Sequence, residues 1–231
     1  MVNYLEWDSN FFGLRIGKAT VSSQGEMNEL LARQNGLQKD YDLIYIFAQE
    51  GLNTIQDNVK LVDNKVIYVK HVNVLEPFTD EHVVDYESNS VSPYLLNLAL
   101  ASGVYSRFNL DHNFPRNSYE KLYSCWIEQS VKRVIASDVF CYMIDGIPRG
   151  LLTLNRKGTE GVIGLVATDK SFRGRGIGQT LLEYTDYYSH VKGIGELTVA
   201  TQLHNTVACH LYEKVGFVKK TCTDIWHWWL L

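Results

Sequence analysis

A glycine-rich segment in the second half of the chain has the residue types that bind phosphate through the backbone. It reads Arg173-Gly174-Arg175-Gly176-Ile177-Gly178 and follows an apolar run, Val166–Thr168, typical of a strand. Because these glycines carry no Cβ, a ligand can approach the main chain closely there. A helix predicted from Gly176 to about His190 points its free N–H groups and the positive end of its dipole at such a ligand. The segment predicts a pyrophosphate site.

Two better-known phosphate loops do not fit this segment. The dinucleotide fingerprint requires GxGxxG, whereas this chain has GxGxG, and the Walker loop requires GxxxxGK followed by Ser or Thr. A glycine-rich turn with surface arginines and no ligand remains the structural alternative.

A second pattern follows downstream of the glycines. A strand predicted from Glu196 to Thr201 leads to Asn205, and the next apolar residues have helical spacing: Ala208, Leu211, Tyr212 and Val215. Gly216 is placed to end that helix. Asn205 fits a helix N-cap and Tyr212 a core aromatic, so each residue has a purely structural alternative.

Together these two patterns resemble the GNAT superfamily of N-acetyltransferases. Arg173, Gly176 and Gly178 match the Arg-x-x-Gly-x-Gly acetyl-CoA loop, and the run from Asn205 to Phe217 is similar to the second GNAT motif. The resemblance implies that acetyl-CoA is the cosubstrate and that it binds at these residues: Val166, Ala167, Thr168, Arg173, Gly174, Arg175, Gly176, Ile177, Gly178 and Asn205. It also implies that Tyr212 is the general acid, which protonates the leaving thiolate, and that a backbone N–H near Val166 meets the oxyanion.

The sequence does not identify a general base. Many family members carry Glu on the strand before the loop, but Gly161 to Thr168 holds no carboxylate; Glu160 precedes it and Asp169 follows it. An amine flanked by electron-withdrawing oxygens has a pKa well below the ~10.4 of lysine, so a neutral fraction can exist without a strong base.

A polar and aromatic loop predicts the acceptor site. Tyr105, Arg107, Phe108 and Phe114 fall between two predicted helices, 93–103 and 118–132. Arg107 could pair with a substrate pyrophosphate, and the rings could stack on a base. Alternatively, the two phenylalanines pack the loop and Arg107 forms a surface ion pair.

A wider likeness indicates the substrate class. It is carried by Trp7 to Gly13, Ser106 to Phe108, Tyr119 to Glu128 and Ala200 to Gln202, which resemble GNAT members that acetylate nucleotide-linked amino sugars. This implies a dTDP-linked 4-amino-4,6-dideoxy sugar as acceptor. A peptide or small-amine acetyltransferase, or a non-catalytic acyl-CoA-binding protein, would share both motifs.

The pattern of predicted elements indicates an α/β (α+β) chain. The GNAT resemblance implies a central mixed, mostly antiparallel sheet with a splayed acetyl-CoA cleft. Strands are predicted at 13–21, 42–49 and 66–72 with a helix at 26–38, then strands at 134–144, 150–155 and 161–168. All four prolines follow residue 76. We therefore predict a small N-terminal α/β domain at 1–75 and the acetyltransferase domain at 76–231.

Composition excludes several classes of function. The chain has 231 residues, 45% hydrophobic and 21% charged, with a net charge of −4, which disfavours nucleic acid and anionic lipid as partners. No apolar run approaches the ~20 residues of a membrane span, and the first residues do not resemble a signal peptide, so we expect a cytosolic protein. The cysteines and histidines lack metal-ligand spacing, so no metal is expected. The closing Trp226 to Trp229 run predicts a strand packed on the core or on a second copy in a homodimer.

Overall fold

The computed structural model describes residues 1–73 and 77–230. Its first part contains these elements: β1 (Asn3–Tyr4), α1 (Glu6–Phe12), β2 (Ile16–Val21), α2 (Gln24–Leu31), α3 (Gln34–Leu37), β3 (Leu43–Ala48) and β4 (Val59–His71). Ser23 caps α2 by accepting a hydrogen bond from the Glu26 N–H, and the Glu26 carboxylate accepts one from the Ser22 N–H. Such reciprocal caps satisfy N–H groups that a helix leaves free at its start.

The second part contains β5 (Val83–Asp85), α4 (Pro93–Ser102), α5 (Arg107–Leu110), α6 (Ser118–Val131), β6 (Asp138–Ile144), β7 (Ile147–Lys157), β8 (Glu160–Thr168), a 3-10 turn (Lys170–Phe172), α7 (Ile177–Val191), β9 (Glu196–Gln202), α8 (Thr206–Lys214) and β10 (Val218–Trp229). Ser92 caps α4 as its sequence predicts, by accepting a hydrogen bond from the Leu95 N–H at 3.2 Å.

The ten strands found among the described residues form one sheet, in the order β1-β2-β3-β10-β4-β9-β8-β7-β6-β5. The pairs β2–β3 and β8–β9 are parallel and the other neighbouring pairs are antiparallel. The predicted fold class, an α/β chain built on a mixed and mostly antiparallel sheet, is confirmed. Within the described ranges, no helix has the length and apolar character needed to cross a bilayer.

Helices cover both faces of the sheet. On one face, α4 and α6 pack over residues such as Leu151, while on the other α7 and α8 pack over residues such as Leu152. Neighbours along a strand point to opposite faces, so one strand supplies both cores. A third cluster joins α2 to the N-terminal strands and to Trp226 and Trp228 of β10.

Several predicted elements differ from the observed ones. The predicted helix at 26–38 is two helices, α2 and α3, which are separated at Ala32 and Arg33. Gly36, a poor helix former, lies within the short α3. The strand predicted at 66–72 begins already at Val59, and α1 was not predicted. The aromatic run Trp226 to Trp229 packs within this chain's own sheet, where Trp228 is fully buried.

The N-terminal and C-terminal parts share the sheet. Strand β10 pairs with both β3 and β4, so residues on either side of the predicted boundary are hydrogen-bonded to each other. The boundary itself, between residues 75 and 76, lies outside the described residues, and the division into two domains stays a prediction.

Candidate active site

The two parallel strands at the centre of the site separate part-way along their length. Strands β8 and β9 are paired only where Glu160–Ile163 lies beside Glu196–Val199. Strand β8 then continues to Thr168 and β9 to Gln202. Beyond Ile163, none of the strands in the described part of the chain lies beside the edge of β8 that faces β9. The result is a cleft with exposed backbone groups along one wall.

A bulge in β8 sets the direction of those groups. The pairing of β8 with β7 shifts between Leu152 and Leu154, and the Leu165 N–H donates to Thr153 Oγ1 at 2.8 Å. Because backbone groups alternate in direction along a strand, the N–H of Val166 points to the opposite edge, into the cleft. The Val166 side chain also lines the cavity there.

The glycine-rich turn leads from this strand to α7. Gly174 and Gly176 have φ angles of 76° and 83°, the left-handed region that favours glycine, and α7 begins directly afterwards at Ile177. The side chain of Ile177 is buried in the core, as is that of Ala167, so both can offer a ligand only their backbone. The turn thus places the N-terminus of α7 shortly after the end of β8, although none of the residues from Ala167 to Gly178 is part of the lining of the neighbouring cavity.

Arginines surround the turn. Arg173 and Arg175 are exposed, and the guanidinium of Arg175 lies 4.7 Å from the centre of the Phe172 ring. Arg173 Nε reaches the Thr168 carbonyl oxygen at 3.4 Å. This arrangement places two positive charges beside the free amides without burying either.

Gly178 has a different role, in helix packing. A Cβ built on it would lie 3.1 Å from Leu211 Cδ2 of α8 and 3.5 Å from Thr168 Oγ1. The absence of a side chain lets α7 approach α8 closely. Gly178, in the first turn of α7, is therefore explained by packing.

Asn205 and Tyr212 lie on the opposite wall of the cleft. Asn205 caps α8: its Oδ1 accepts from the Ala208 N–H at 3.3 Å, and its Nδ2 reaches Thr201 Oγ1 at 3.4 Å. Tyr212 is 5% exposed, lines the cavity and packs its ring between Tyr68 and Phe217. Burial raises the pKa of Tyr212 above its usual range, so the phenol keeps its proton at neutral pH.

The cleft opens into a cavity of about 550 Å³ beside α5 and α6. Aromatic and charged side chains form one part of the lining, the candidate acceptor half of the cavity: Trp7, Asp8, Asp63, Lys65, Arg107, Phe108, Tyr123 and Trp126. The Arg107 guanidinium lies over two rings, 4.5 Å from the centre of Tyr45 and 4.6 Å from that of Phe108. Its Nε is buried and makes no hydrogen bond within the described ranges.

The four residues predicted for the acceptor loop are not all brought together. Arg107 and Phe108 line the cavity. Phe114 is buried in the core against Phe12, at 4.9 Å between ring centres, and Tyr105 packs edge-to-face on His204 outside the cavity lining. Phe114 therefore packs the loop against the core, which is the alternative that the sequence left open for it.

Neither of the two carboxylates next to the run from Gly161 to Thr168, Glu160 and Asp169, lies in the cavity lining. Asp169 caps the 3-10 turn by accepting a hydrogen bond from the Ser171 N–H, and it forms an ion pair with Arg149 at 2.7 Å. Both interactions lower the pKa of Asp169. Glu160 is exposed, at the far end of β8. The carboxylates that do line the cavity, Asp8 and Asp63, lie in the N-terminal part of the chain and were missed by motif reasoning.

The sequence of residues 102–217 matches the family described as acetyltransferase (GNAT) family. That match covers half of the chain, and it includes both the glycine turn and Tyr212. The chain belongs to the GNAT acetyltransferase family. It is accordingly an N-acetyltransferase, of a family that uses acetyl-CoA as acyl donor.

Three individual proteins are similar to this chain in sequence or in fold. The chain is 27% identical over 218 residues to the dTDP-fucosamine acetyltransferase of Escherichia coli O6:H1, covering 92% of this GNAT chain and 91% of that protein. It is 25% identical over 135 residues to a spore coat polysaccharide biosynthesis protein of Bacillus subtilis, covering 58% and 46%. A GCN5-related N-acetyltransferase structure from Sphaerobacter thermophilus shares the fold, with a TM-score of 0.59 at 14% identity, covering 99% of this chain and 76% of that one.

Proposed function

We propose that this chain acetylates the amino group of a nucleotide-linked amino-dideoxy sugar, with a dTDP-linked sugar as the favoured acceptor. The observation that carries the proposal is the acceptor half of the cavity, where aromatic rings and cations occur together. The similarity to a dTDP-fucosamine acetyltransferase over 92% of the chain supports it.

The acyl donor would lie along the cleft. The residues proposed to hold acetyl-CoA fit an elongated thioester: the backbone of Val166 and Thr168 for the amide-containing arm, and the turn around Gly176 for the diphosphate. Arg173 and Arg175 supply opposite charge. Asn205 borders the same cleft from β9 and α8. Bound acetyl-CoA supplies an activated acyl group with a thiolate leaving group.

Tyr212 is the proposed general acid. Because burial keeps its phenol protonated, it can donate a proton to sulfur as the C–S bond breaks, which matters for a thiolate whose conjugate acid has a pKa of ~8.5. The Val166 N–H, directed into the cleft, is the proposed donor to the carbonyl oxygen as negative charge develops on it.

The acceptor would lie in the remaining half of the cavity. Arg107 and Lys65 are the cations suited to a diphosphate. Trp7, Phe108 and Trp126 offer ring faces and edges to a base. The whole cavity, including the part lined by Val166, Asn205 and Tyr212, has a volume of about 550 Å³, which falls within the usual range for small-molecule sites.

A substrate panel tests this proposal. Thiol release from acetyl-CoA would be measured with dTDP-4-amino-4,6-dideoxygalactose, with its 4-amino-glucose epimer and with a set of peptides carrying free amino termini. We expect release with at least one nucleotide sugar and none with peptides. Release with peptides alone would refute the sugar assignment and favour a peptide acetyltransferase.

A further inference from the structure

One carboxylate in the cavity is buried with an oxygen that accepts no hydrogen bond. Asp63 is 6% exposed, and its Oδ1 is buried without a hydrogen bond to any described residue. A buried charge that its neighbours compensate only in part is unfavourable. Buried carboxylates elsewhere in the sheet are satisfied; Asp224, 4% exposed, accepts from the Gly51 N–H and from Asn64 Nδ2.

The position of Asp63 on β4 places it in the lining of the cavity. On β4, Asp63 lies opposite Ile225 of β10, next to the point where the register of those two strands shifts. Two residues along β4, Lys65 pairs with Gln202 of β9. Asp63 and Lys65 are two residues apart, so they share a face of the strand. The next residue, Asn64, accepts a hydrogen bond through its carbonyl from the Leu203 N–H, which ties this part of β4 to the connection that leads into α8 and Tyr212.

We propose that Asp63 is the general base that takes a proton from the acceptor amine. The inference rests on the proposed function, since it needs an amine in the acceptor half of the cavity. It rests on geometry in three respects: Asp63 lines the same cavity as Tyr212 and Val166, it has a free buried oxygen, and β8 carries no carboxylate in the cavity lining. Asp8, the other carboxylate there, is only partly buried and lies on α1 beside Arg107 and Tyr45.

The acidity of Asp63 suits the task. Burial raises its pKa to about 6, although the positive charges of Arg107, His204 and Lys65 and the side chain of Gln202 act in the opposite direction. Tyr123 of α6 also faces it. A carboxylate with a pKa near 6 is ionised at neutral pH and is a much stronger base than an exposed one, which favours proton transfer.

The proposed proton transfers balance. Asp63 takes one proton from the acceptor's ammonium group, and the freed nitrogen lone pair forms the N–C bond while the C–S bond breaks with its electron pair remaining on sulfur. Tyr212 donates a proton to that sulfur and recovers one from the nitrogen. Asp63 returns its proton to water. The products are the amide, the free thiol and one proton released to solvent.

The test is the pH dependence of kcat/KM at saturating acetyl-CoA, with dTDP-4-amino-4,6-dideoxygalactose as acceptor. For the wild type we expect kcat/KM to rise tenfold per pH unit up to about 6 and then level off. Asp63→Asn should lower kcat/KM at pH 7 by about 10²–10⁴-fold and move the midpoint up to the pKa of the acceptor's own amine. Asp63→Glu should restore most of the activity.

Two results would overturn the assignment. One is an Asp63→Asn enzyme whose kcat/KM still rises with pH and levels off near pH 6, or whose kcat/KM falls by less than tenfold. The other is a rise in acceptor KM with kcat unchanged, which would make Asp63 a charge that only binds substrate. Calorimetry should show that Asp63→Asn still binds acetyl-CoA with unchanged affinity.

A second readout separates this inference from the sugar proposal. In carbon-13 NMR of the unliganded wild type, one aspartate carboxyl signal should titrate near pH 6 and be missing in Asp63→Asn; absence of such a signal would overturn the assignment without any acceptor. If the wild type releases thiol only with peptides, the sugar proposal fails, and the same pH profiles measured on the active peptide decide the role of Asp63.

Discussion

Replacing Asp63 by asparagine should stabilise the folded protein at neutral pH, even though it removes a group that we place in the reaction. The carboxylate is buried, and its Oδ1 has no hydrogen-bond partner among residues 1–73 and 77–230. Asparagine has nearly the same shape and carries no charge, so it avoids the desolvation of an anion. Functional groups held in unfavourable surroundings commonly cost stability in this way.

The magnitude follows from the acidity of the group. Burial raises the Asp63 pKa from 3.8 to about 6, and at ~1.4 kcal/mol per pKa unit the charged form costs about 3 kcal/mol in the folded state. Above pH 6 the carboxylate is charged in both folded and unfolded chains, so the whole cost is present. Between about 6 and 3.8 the folded chain keeps a proton that the unfolded chain has lost, so wild-type Asp63 becomes less costly as the pH falls.

The assay is thermal and urea unfolding of both proteins at pH 7.5 and pH 4.5. At pH 7.5 we expect Asp63→Asn to raise Tm by about 6–12 °C, since ~1 kcal/mol shifts a domain of this size by ~2–4 °C. At pH 4.5 most of that gain should vanish. Asp224→Asn is the matched control: both oxygens of Asp224 accept hydrogen bonds, so this substitution should destabilise the protein. An Asp63→Asn protein no more stable than wild type at pH 7.5, or equally stabilised at both pH values, would refute the reasoning.

Three further predictions test other parts of the site. Tyr212→Phe should lower kcat by about 10²–10⁴-fold with acetyl-CoA affinity unchanged, because the ring keeps its packing against its neighbours; unchanged turnover would favour a non-catalytic acyl-CoA-binding protein. Gly176→Val should weaken acetyl-CoA binding more than tenfold in calorimetry, whereas Gly158→Val, with similar backbone strain in the β7–β8 hairpin, should not; equal effects would count against the turn as the binding site. Phe114→Leu should reduce unfolding free energy by about 1–3 kcal/mol without changing acceptor KM, and Phe108→Leu should raise that KM; the reverse pattern would show that the base stacks on the core residue.

The sequence predicted the local backbone on which half of the candidate site is built. A strand, a glycine turn and a helix follow one another along the chain, so the elements that carry Gly176 and Ile177 needed no tertiary information to be placed. The role of Val166 was implied by the GNAT resemblance, and the binding roles of all three residues stay predictions. Asn205 was likewise predicted as a helix N-cap, and it is one. Its place in the cleft opposite β8 came from the GNAT resemblance.

The acceptor half was harder because it is assembled from distant segments. Asp63 and Lys65 face the cavity, so their polar side chains interrupt the alternation of apolar residues that marks a strand, and β4 was predicted to begin at Val66 instead of Val59. The same polarity could have indicated a strand that lines a site. Asp8 and Arg107 come together only because α1 and α5 pack on the same face of the sheet, which no local pattern specifies.

The measurement that tests the central claim most directly is a crystal structure with acetyl-CoA bound. We predict that the diphosphate contacts the free amides between Gly174 and Gly178 and that the thioester lies in the cleft between β8 and β9, with its sulfur within hydrogen-bond reach of the Tyr212 hydroxyl. Acetyl-CoA bound elsewhere, or a turn whose amides are covered by the chain's own side chains, would contradict the account.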